Sequence, residues 1–63
     1  MATHKIDKHY FYIARLDGWK QVPNVGIFND IEQAKGTCCR EERVIEVTEG
    51  PTWQSRVEVF RVN

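Results

Sequence analysis

Both cysteines of the chain, Cys38 and Cys39, are neighbours in the sequence. Adjacent cysteines cannot join distant segments, so no disulfide framework can support the fold. A chain of 63 residues must then rely on one hydrophobic core, at a size where such a core is only just sufficient. We therefore predict a single domain over residues 1–63, in the reducing setting of a cytoplasm.

The first third of the chain predicts a strand followed by a tight turn. Residues 1–8 are polar and of mixed charge, and we expect a flexible lead-in there. Residues 9–16 are rich in aromatic and β-branched side chains, which favour a strand, and Asp17-Gly18 is a strong hairpin signal. Because both faces of this strand are partly apolar, we expect it to be central.

The chain then predicts a second extended segment. Residues 19–22 would return as the second strand, but Pro23 lacks the N–H group that a ladder needs. An edge position suits such a strand. Residues 25–28 resume an extended apolar path towards the best capping signal of the sequence.

That signal predicts one helix, from residue 30 to about residue 42. Asn29 is the predicted N-cap, and Glu32 would complete a capping box with it. Ile31, Ala34 and Cys38 form one apolar stripe, which we expect to face a sheet. The stripe is narrow and residues 36–39 are poor helix formers, so this helix depends on the sheet beneath it.

The last third predicts two more strands. Residues 43–49 alternate, with Ile45 and Val47 directed inward, and Gly50-Pro51 marks a turn. Within residues 53–62 the apolar side chains switch from odd-numbered to even-numbered positions, and a bulge near Val59 would place both sets on one face of the sheet. The predicted fold class is therefore α+β, a four-stranded antiparallel sheet with one helix packed on one face, in ββαββ order. The opposite face of the sheet would have no cover.

The sequence offers no candidate catalytic site, and we predict that the protein is not an enzyme. Helical Cys38 and Cys39 would point about 100° apart, and structural zinc sites prefer cysteines two to four residues apart, so we predict no metal and no cofactor. His4 and His9 lie in or near the lead-in, where they cannot serve a nucleophile. The glycines form no phosphate-binding loop, and no apolar stretch predicts a membrane segment.

We expect function to lie on the uncovered sheet face, where exposed aromatic side chains would mark a contact surface. Our first hypothesis is a protein-binding module, an inhibitor or adaptor, that uses aromatic anchors ringed by polar contacts. The predicted anchors are Tyr12, Trp19 and Trp53. The predicted charged contacts are Glu41, Glu42 and Glu46.

Two alternatives remain open. A small nucleic-acid binder would use basic side chains beside aromatic ones, namely Lys5, Lys8, Tyr10 and Arg15 together with Tyr12. Lysine plus arginine and aspartate plus glutamate number nine each, so the net charge of zero favours a protein partner over nucleic acid. The third hypothesis is a homodimer that completes its core by pairing sheet faces or edges.

The segment Val-Gly-Ile-Phe-Asn-Asp-Ile-Glu-Gln-Ala-Lys at residues 25–35 resembles the strand-to-helix junction of small phage-type proteins of the ββαβ kind. In those proteins a glycine-aliphatic-aromatic strand end leads to a capping residue, an acidic first turn and an alanine on the buried helix face. The resemblance implies a compact inhibitor, encoded by a phage or mobile element, that binds and blocks a host protein or defence complex in the host cytoplasm. It carries over no functional residue, and residues 36–39 depart from the family's pattern.

Overall fold

The computed structural model describes residues 6–63, which form a four-stranded antiparallel sheet with one helix packed on it. The elements are β1 (Lys8–Arg15), β2 (Ile27–Phe28), α1 (Ile31–Thr37), β3 (Glu42–Glu49) and β4 (Gln54–Val62). The strand order across the sheet is β2-β1-β3-β4. The predicted α+β class and element order are therefore confirmed, and β1 is central as expected. His4 and Lys5, in the predicted lead-in, lie outside the described residues.

The second strand lies later in the chain than the sequence predicted. Residues 19–22 make one isolated bridge to β1, between Ala14 and Gln21, and β2 forms the edge strand instead. Pro23 has no N–H group to donate to a strand ladder, so the chain leaves β1 at this point. Gly26 has a φ of 82°, and the turn there lets the chain return to β1 as the edge strand. The prediction of a strand at residues 19–22 is wrong, while the predicted edge position applies to β2.

The helix is shorter than predicted and begins one residue later. Asp30, rather than Asn29, is the N-cap, and its carboxylate accepts a hydrogen bond from the Glu32 backbone N–H at 3.4 Å. Beyond the other end, the Glu42 carboxylate accepts a hydrogen bond from the Cys39 backbone N–H at 2.8 Å. This bond stabilises a turn among residues that are poor helix formers, so the helix ends well before residue 42.

The helix covers the main core of the molecule. The buried residues of this helix-side core are Phe11, Ile13, Ala34 and Val44. Ile31 and Cys38 pack against it, so the predicted apolar stripe does face the sheet. The strands add three large aromatic side chains, Phe11, Phe28 and Phe60, to this core.

β4 contains the predicted bulge. The register of the β3–β4 ladder shifts between Val44 and Ile45, which leaves Val59 as the extra residue of β4. Val59 and its neighbour Phe60 both pack against the helix-side core as a result. The predicted turn at Gly50-Pro51 is also present between β3 and β4.

The opposite face of the sheet carries a second core. Tyr12, Ala14, Ile45 and Val47 form this cluster, in which Tyr12 is 5% exposed and the other three are fully buried. Ile45 and Val47 are buried as predicted, but they lie on the face away from the helix. Side chains alternate along β3, and Val44 belongs to the helix side. The expectation that this face has no cover is therefore wrong at its centre.

The turn after β1 is held to this second face by Arg43. The buried Arg43 guanidinium donates from Nε to the Arg15 carbonyl oxygen at 3.1 Å and from Nη2 to the Gly18 carbonyl oxygen. It also lies 4.4 Å from the centroid of the Trp19 ring. The Tyr12 hydroxyl donates to the Trp19 carbonyl oxygen. These contacts compensate a charge that is removed from water, and they fix the turn against the sheet.

Candidate protein-binding surface

A shallow depression of about 410 Å³ lies on the sheet face opposite the helix, beside the Trp19 turn. We call it the open-face depression. Its lining combines three cations, three aromatic rings, one aliphatic side chain and one amide: Lys8, Lys20, Arg56, Tyr10, Tyr12, Trp19, Ile27 and Gln21. β1 contributes its lining residues at alternating positions, because every second side chain of a strand points to the same face.

Trp19 is held in place although its side chain remains accessible. The residue is 47% exposed, yet Arg43 lies against its ring and Tyr12 binds its carbonyl oxygen. Beside it, Ile27 is 57% exposed on the edge strand. A large ring in a fixed orientation loses little conformational entropy when it is buried by a partner, so Trp19 has the properties of a binding anchor.

The two tyrosines form the floor of the depression. Tyr12 is buried and already bonded to Trp19, so it supports the anchor instead of acting as one. The Tyr10 hydroxyl donates to the Glu49 carboxylate at 3.2 Å. Burial, followed by this hydrogen bond, raises the pKa of Tyr10 above its usual value, so the phenol stays protonated at neutral pH.

The three predicted acidic contacts lie away from the depression. Glu42, Val44 and Glu46 follow one another at every second position of β3, so both glutamates lie on the helix side of the sheet together with Val44. The Glu46 carboxylate lies 2.7 Å from His9 Nε2, and Glu41 is exposed in the turn before β3. The structure therefore does not bring these acidic residues together with the aromatic anchors.

The residues predicted for nucleic-acid binding are also divided. Lys8 and Tyr10 line the open-face depression, whereas Arg15 lines a separate depression of about 190 Å³. Lys5 lies outside the described residues. Trp53, the remaining predicted anchor, is partly buried in the turn between β3 and β4 and does not line the open-face depression.

Lys20, Ile27 and Arg56 belong to the depression but were not predicted as protein-contact residues. Ile27 lies opposite Tyr12, and Arg56 lies opposite Val47, so cross-strand register places both on this face. The alternation within each strand was visible in the sequence. Register depends on the path between strands, which the sequence did not define for β2.

Next to the depression, Glu58 joins two arginines into one network. Its carboxylate lies 3.1 Å from Arg43 Nη1 and 2.7 Å from Arg61 Nη2. Hydrogen bonds from Arg61, and then from Arg43, lower the pKa of the Glu58 carboxyl. The carboxylate therefore stays ionised at neutral pH and helps to hold Arg43 beneath Trp19.

The thiols lie outside this depression. Burial, followed by the charge of Glu42, raises the pKa of the Cys38 thiol, so it is a weak nucleophile at neutral pH. Cys39 Sγ lies 3.4 Å from the Thr37 carbonyl oxygen. Within residues 6–63, no three His, Cys, Asp or Glu side chains are grouped so that they could hold a metal ion. The same part of the chain contains no helix with the length and apolar character needed to span a lipid bilayer.

The fold and the depression together define a small α+β domain with a basic and aromatic surface on its sheet. Comparison with known protein families, with curated proteins and with solved structures finds no match for this chain.

Proposed function

We propose that the protein is a non-catalytic binding module that contacts another protein through the open-face depression, with Trp19 as its anchor. The proposal rests on one observation: the Trp19 side chain is half-exposed, while Arg43 lies against its ring and Tyr12 binds its backbone carbonyl oxygen. Tryptophan side chains of this kind dominate the binding energy of many protein interfaces. Ile27 extends the apolar contact, and the surrounding cations supply a polar rim.

The non-catalytic part of the proposal is supported by the partners of the reactive side chains. The sulfur atoms of Cys38 and Cys39 contact backbone carbonyl oxygens, and His9 contacts Glu46. Within residues 6–63, these contacts pair no thiol with an imidazole base, as nucleophilic catalysis by cysteine requires. In its most specific form, the proposal is an inhibitor encoded by a phage or mobile element that blocks a cytoplasmic host protein. Only the sequence resemblance at residues 25–35 supports that form.

The test is capture of a partner followed by affinity measurement with the purified pair. Val57→Ala is the matched control for Trp19→Ala, because Val57 is 51% exposed on β4 and does not line the depression. We expect Trp19→Ala to weaken binding by about 30-fold, the effect of losing roughly 2 kcal/mol at an anchor. Val57→Ala should leave the dissociation constant unchanged.

A second Trp19 variant separates binding from folding. Trp19→Phe retains a ring against Arg43 but loses part of the exposed surface, so it should fold and still bind more weakly than the wild type. Circular dichroism and urea denaturation check the fold of each variant. Equal affinities of the Trp19 variants and the wild type would refute the proposal. Sedimentation at micromolar concentration tests the homodimer in the same samples.

Single-stranded nucleic acid is the second candidate, because the depression places three cations around aromatic rings. Neutralising three phosphates of a single strand would give a slope of about −2 in a plot of log affinity against log salt concentration. Titration with a thymidine oligonucleotide at several salt concentrations measures this slope. The absence of binding at low salt would eliminate this candidate.

A further inference from the structure

We infer that the segment bound in the open-face depression is a short acidic one, in which carboxylates flank an apolar side chain; this rests on the proposed protein-binding function. The chain as a whole has equal numbers of acidic and basic residues. The depression does not share this balance. Lys8, Lys20 and Arg56 line it, and among the described residues no carboxylate does.

These three cations are available to a partner. Within residues 6–63, the ion pairs formed by side chains involve other basic residues. Arg56 Nε donates to the neutral Gln54 side chain at 3.1 Å, which leaves its charge uncompensated by a carboxylate. A complementary charge on the partner would therefore attract it during encounter and stabilise the correct orientation on contact.

Carboxylates border the depression and limit the length of an acceptable anion. Glu49 binds the Tyr10 hydroxyl at one side, and Glu58 follows Arg56 by two residues on the same face of β4. A continuous polyanion such as a nucleic-acid strand would extend past these carboxylates, and the repulsion between like charges is only partly screened within a Debye length of about 10 Å. A short acidic segment avoids them.

The apolar part of the lining defines the rest of the ligand. Trp19 and Ile27 remain about half exposed beside the cations, and burying such a surface is favourable only against another apolar group. A segment with two or three carboxylates around a leucine or a phenylalanine can contact both the cations and the apolar side chains of the depression. A segment that carries only charged side chains can contact the cations alone.

The experiment uses defined probes with the full chain. One is a six-residue peptide with three glutamates around one leucine, the second is the same peptide with glutamine for glutamate, and the third is a twelve-nucleotide thymidine strand. Fluorescence anisotropy of the labelled probes measures affinity. We expect the acidic peptide to bind at least about tenfold more tightly than each of the others, and its affinity to fall with added salt.

Charge-reversed variants locate the site. Lys20→Glu should weaken binding of the acidic peptide by about tenfold or more, since it places like charges together. Arg40→Glu changes the net charge of the chain equally at an exposed position outside the depression and should have little effect. Equal losses from the two variants would overturn the site, and tighter binding of the thymidine strand would overturn the acidic-peptide class in favour of nucleic acid.

Failure of this inference can be told apart from failure of the proposed function. If Trp19→Ala weakens a captured protein complex but Lys20→Glu does not, protein binding stands and the acidic character of the partner is wrong. If neither variant changes the complex, both the proposed function and this inference are wrong. Urea denaturation of Lys20→Glu confirms that the compared proteins are folded.

Discussion

Replacing Arg43 by methionine tests what fixes the Trp19 turn to the sheet. Arg43 and Arg61 both bind the Glu58 carboxylate, but their side chains are 8% and 43% exposed, respectively. Only the buried side chain also donates to backbone carbonyl groups of the turn. Methionine keeps the apolar stem of an arginine and removes its charge and its donors. Comparing Arg43→Met with Arg61→Met therefore separates the backbone contacts of Arg43 from the ion pair with Glu58 that both arginines make.

The magnitude follows from the contacts that Arg43→Met removes. Two hydrogen bonds from a charged donor contribute about 1.5 kcal/mol each at the low end, and contact with the Trp19 ring contributes about 1 kcal/mol. Removing the buried charge also removes its desolvation cost, which offsets part of this loss. We therefore expect the free energy of unfolding to fall by about 3 kcal/mol. A domain of 63 residues has a free energy of unfolding of roughly 3 to 9 kcal/mol, so the loss is a large share of the total.

Urea denaturation, followed by tryptophan fluorescence and far-ultraviolet circular dichroism, measures the effect. Arg61→Met should shift the midpoint far less, because exposed ion pairs contribute little to stability. The near-ultraviolet dichroism of Trp19 should weaken in Arg43→Met and persist in Arg61→Met. Equal midpoint shifts for the two variants would refute the argument, since they would assign the effect to the shared Glu58 pair and not to the backbone contacts of Arg43.

Further perturbations test other parts of the fold. Ile45→Ala should lower the free energy of unfolding by about 3 kcal/mol, as should Ile13→Ala in the helix-side core; a much smaller urea-midpoint shift for Ile45→Ala would contradict a second core. Gly36→Ala should raise stability by about 0.5 kcal/mol, because an added methyl group meets open space in the helix. Gly26→Ala should lower it by about 1 kcal/mol, because its φ is 82°, and thermal melting compares the two glycine variants. The lowered pKa of Glu58 means that the stability from its carboxylate is complete above the ordinary glutamate pKa of about 4.3 and is lost as the pH falls through the lower folded value. The difference in urea midpoint between the wild type and Glu58→Gln should therefore shrink as the pH falls below that range, and a constant difference would argue against the assignment.

Sequence reasoning succeeded where structure depends on local signals. The aromatic and β-branched residues of the first strand predicted β1, alternation predicted β3, and the change of parity in β4 located the bulge at Val59. The same alternation put Tyr10 and Tyr12 on one face of β1, whereas Lys8, which was predicted to lie in the flexible lead-in, is the first residue of that strand. The helix length was wrong because a side-chain contact, from the Glu42 carboxylate to the Cys39 backbone N–H, competes with further helical turns. Periodicity alone contains no information about such a contact.

Arg43 shows most clearly what could not be predicted. It occupies a position that alternation assigns to one face of β3, and arginine at such a position is usually exposed. Its burial depends on the Trp19 turn folding over the sheet, and that path is set only when the Arg15 and Gly18 carbonyl groups meet the guanidinium. The open-face depression exists because of this turn, so its lining could not be assembled from the sequence.

The sequence by itself determined the strands β1, β3 and β4, the turn between β3 and β4 and the apolar stripe of the helix, because these follow from backbone preferences and from the alternation of neighbouring side chains. The tertiary structure decided which sheet face each buried residue occupies and how Lys20, Ile27 and Arg56 come together around Trp19. Those outcomes depend on strand register and on a buried charge that needs partners from distant segments. Both are properties of the packed chain, because the cross-strand neighbours and the hydrogen-bond partners come from segments far apart in sequence.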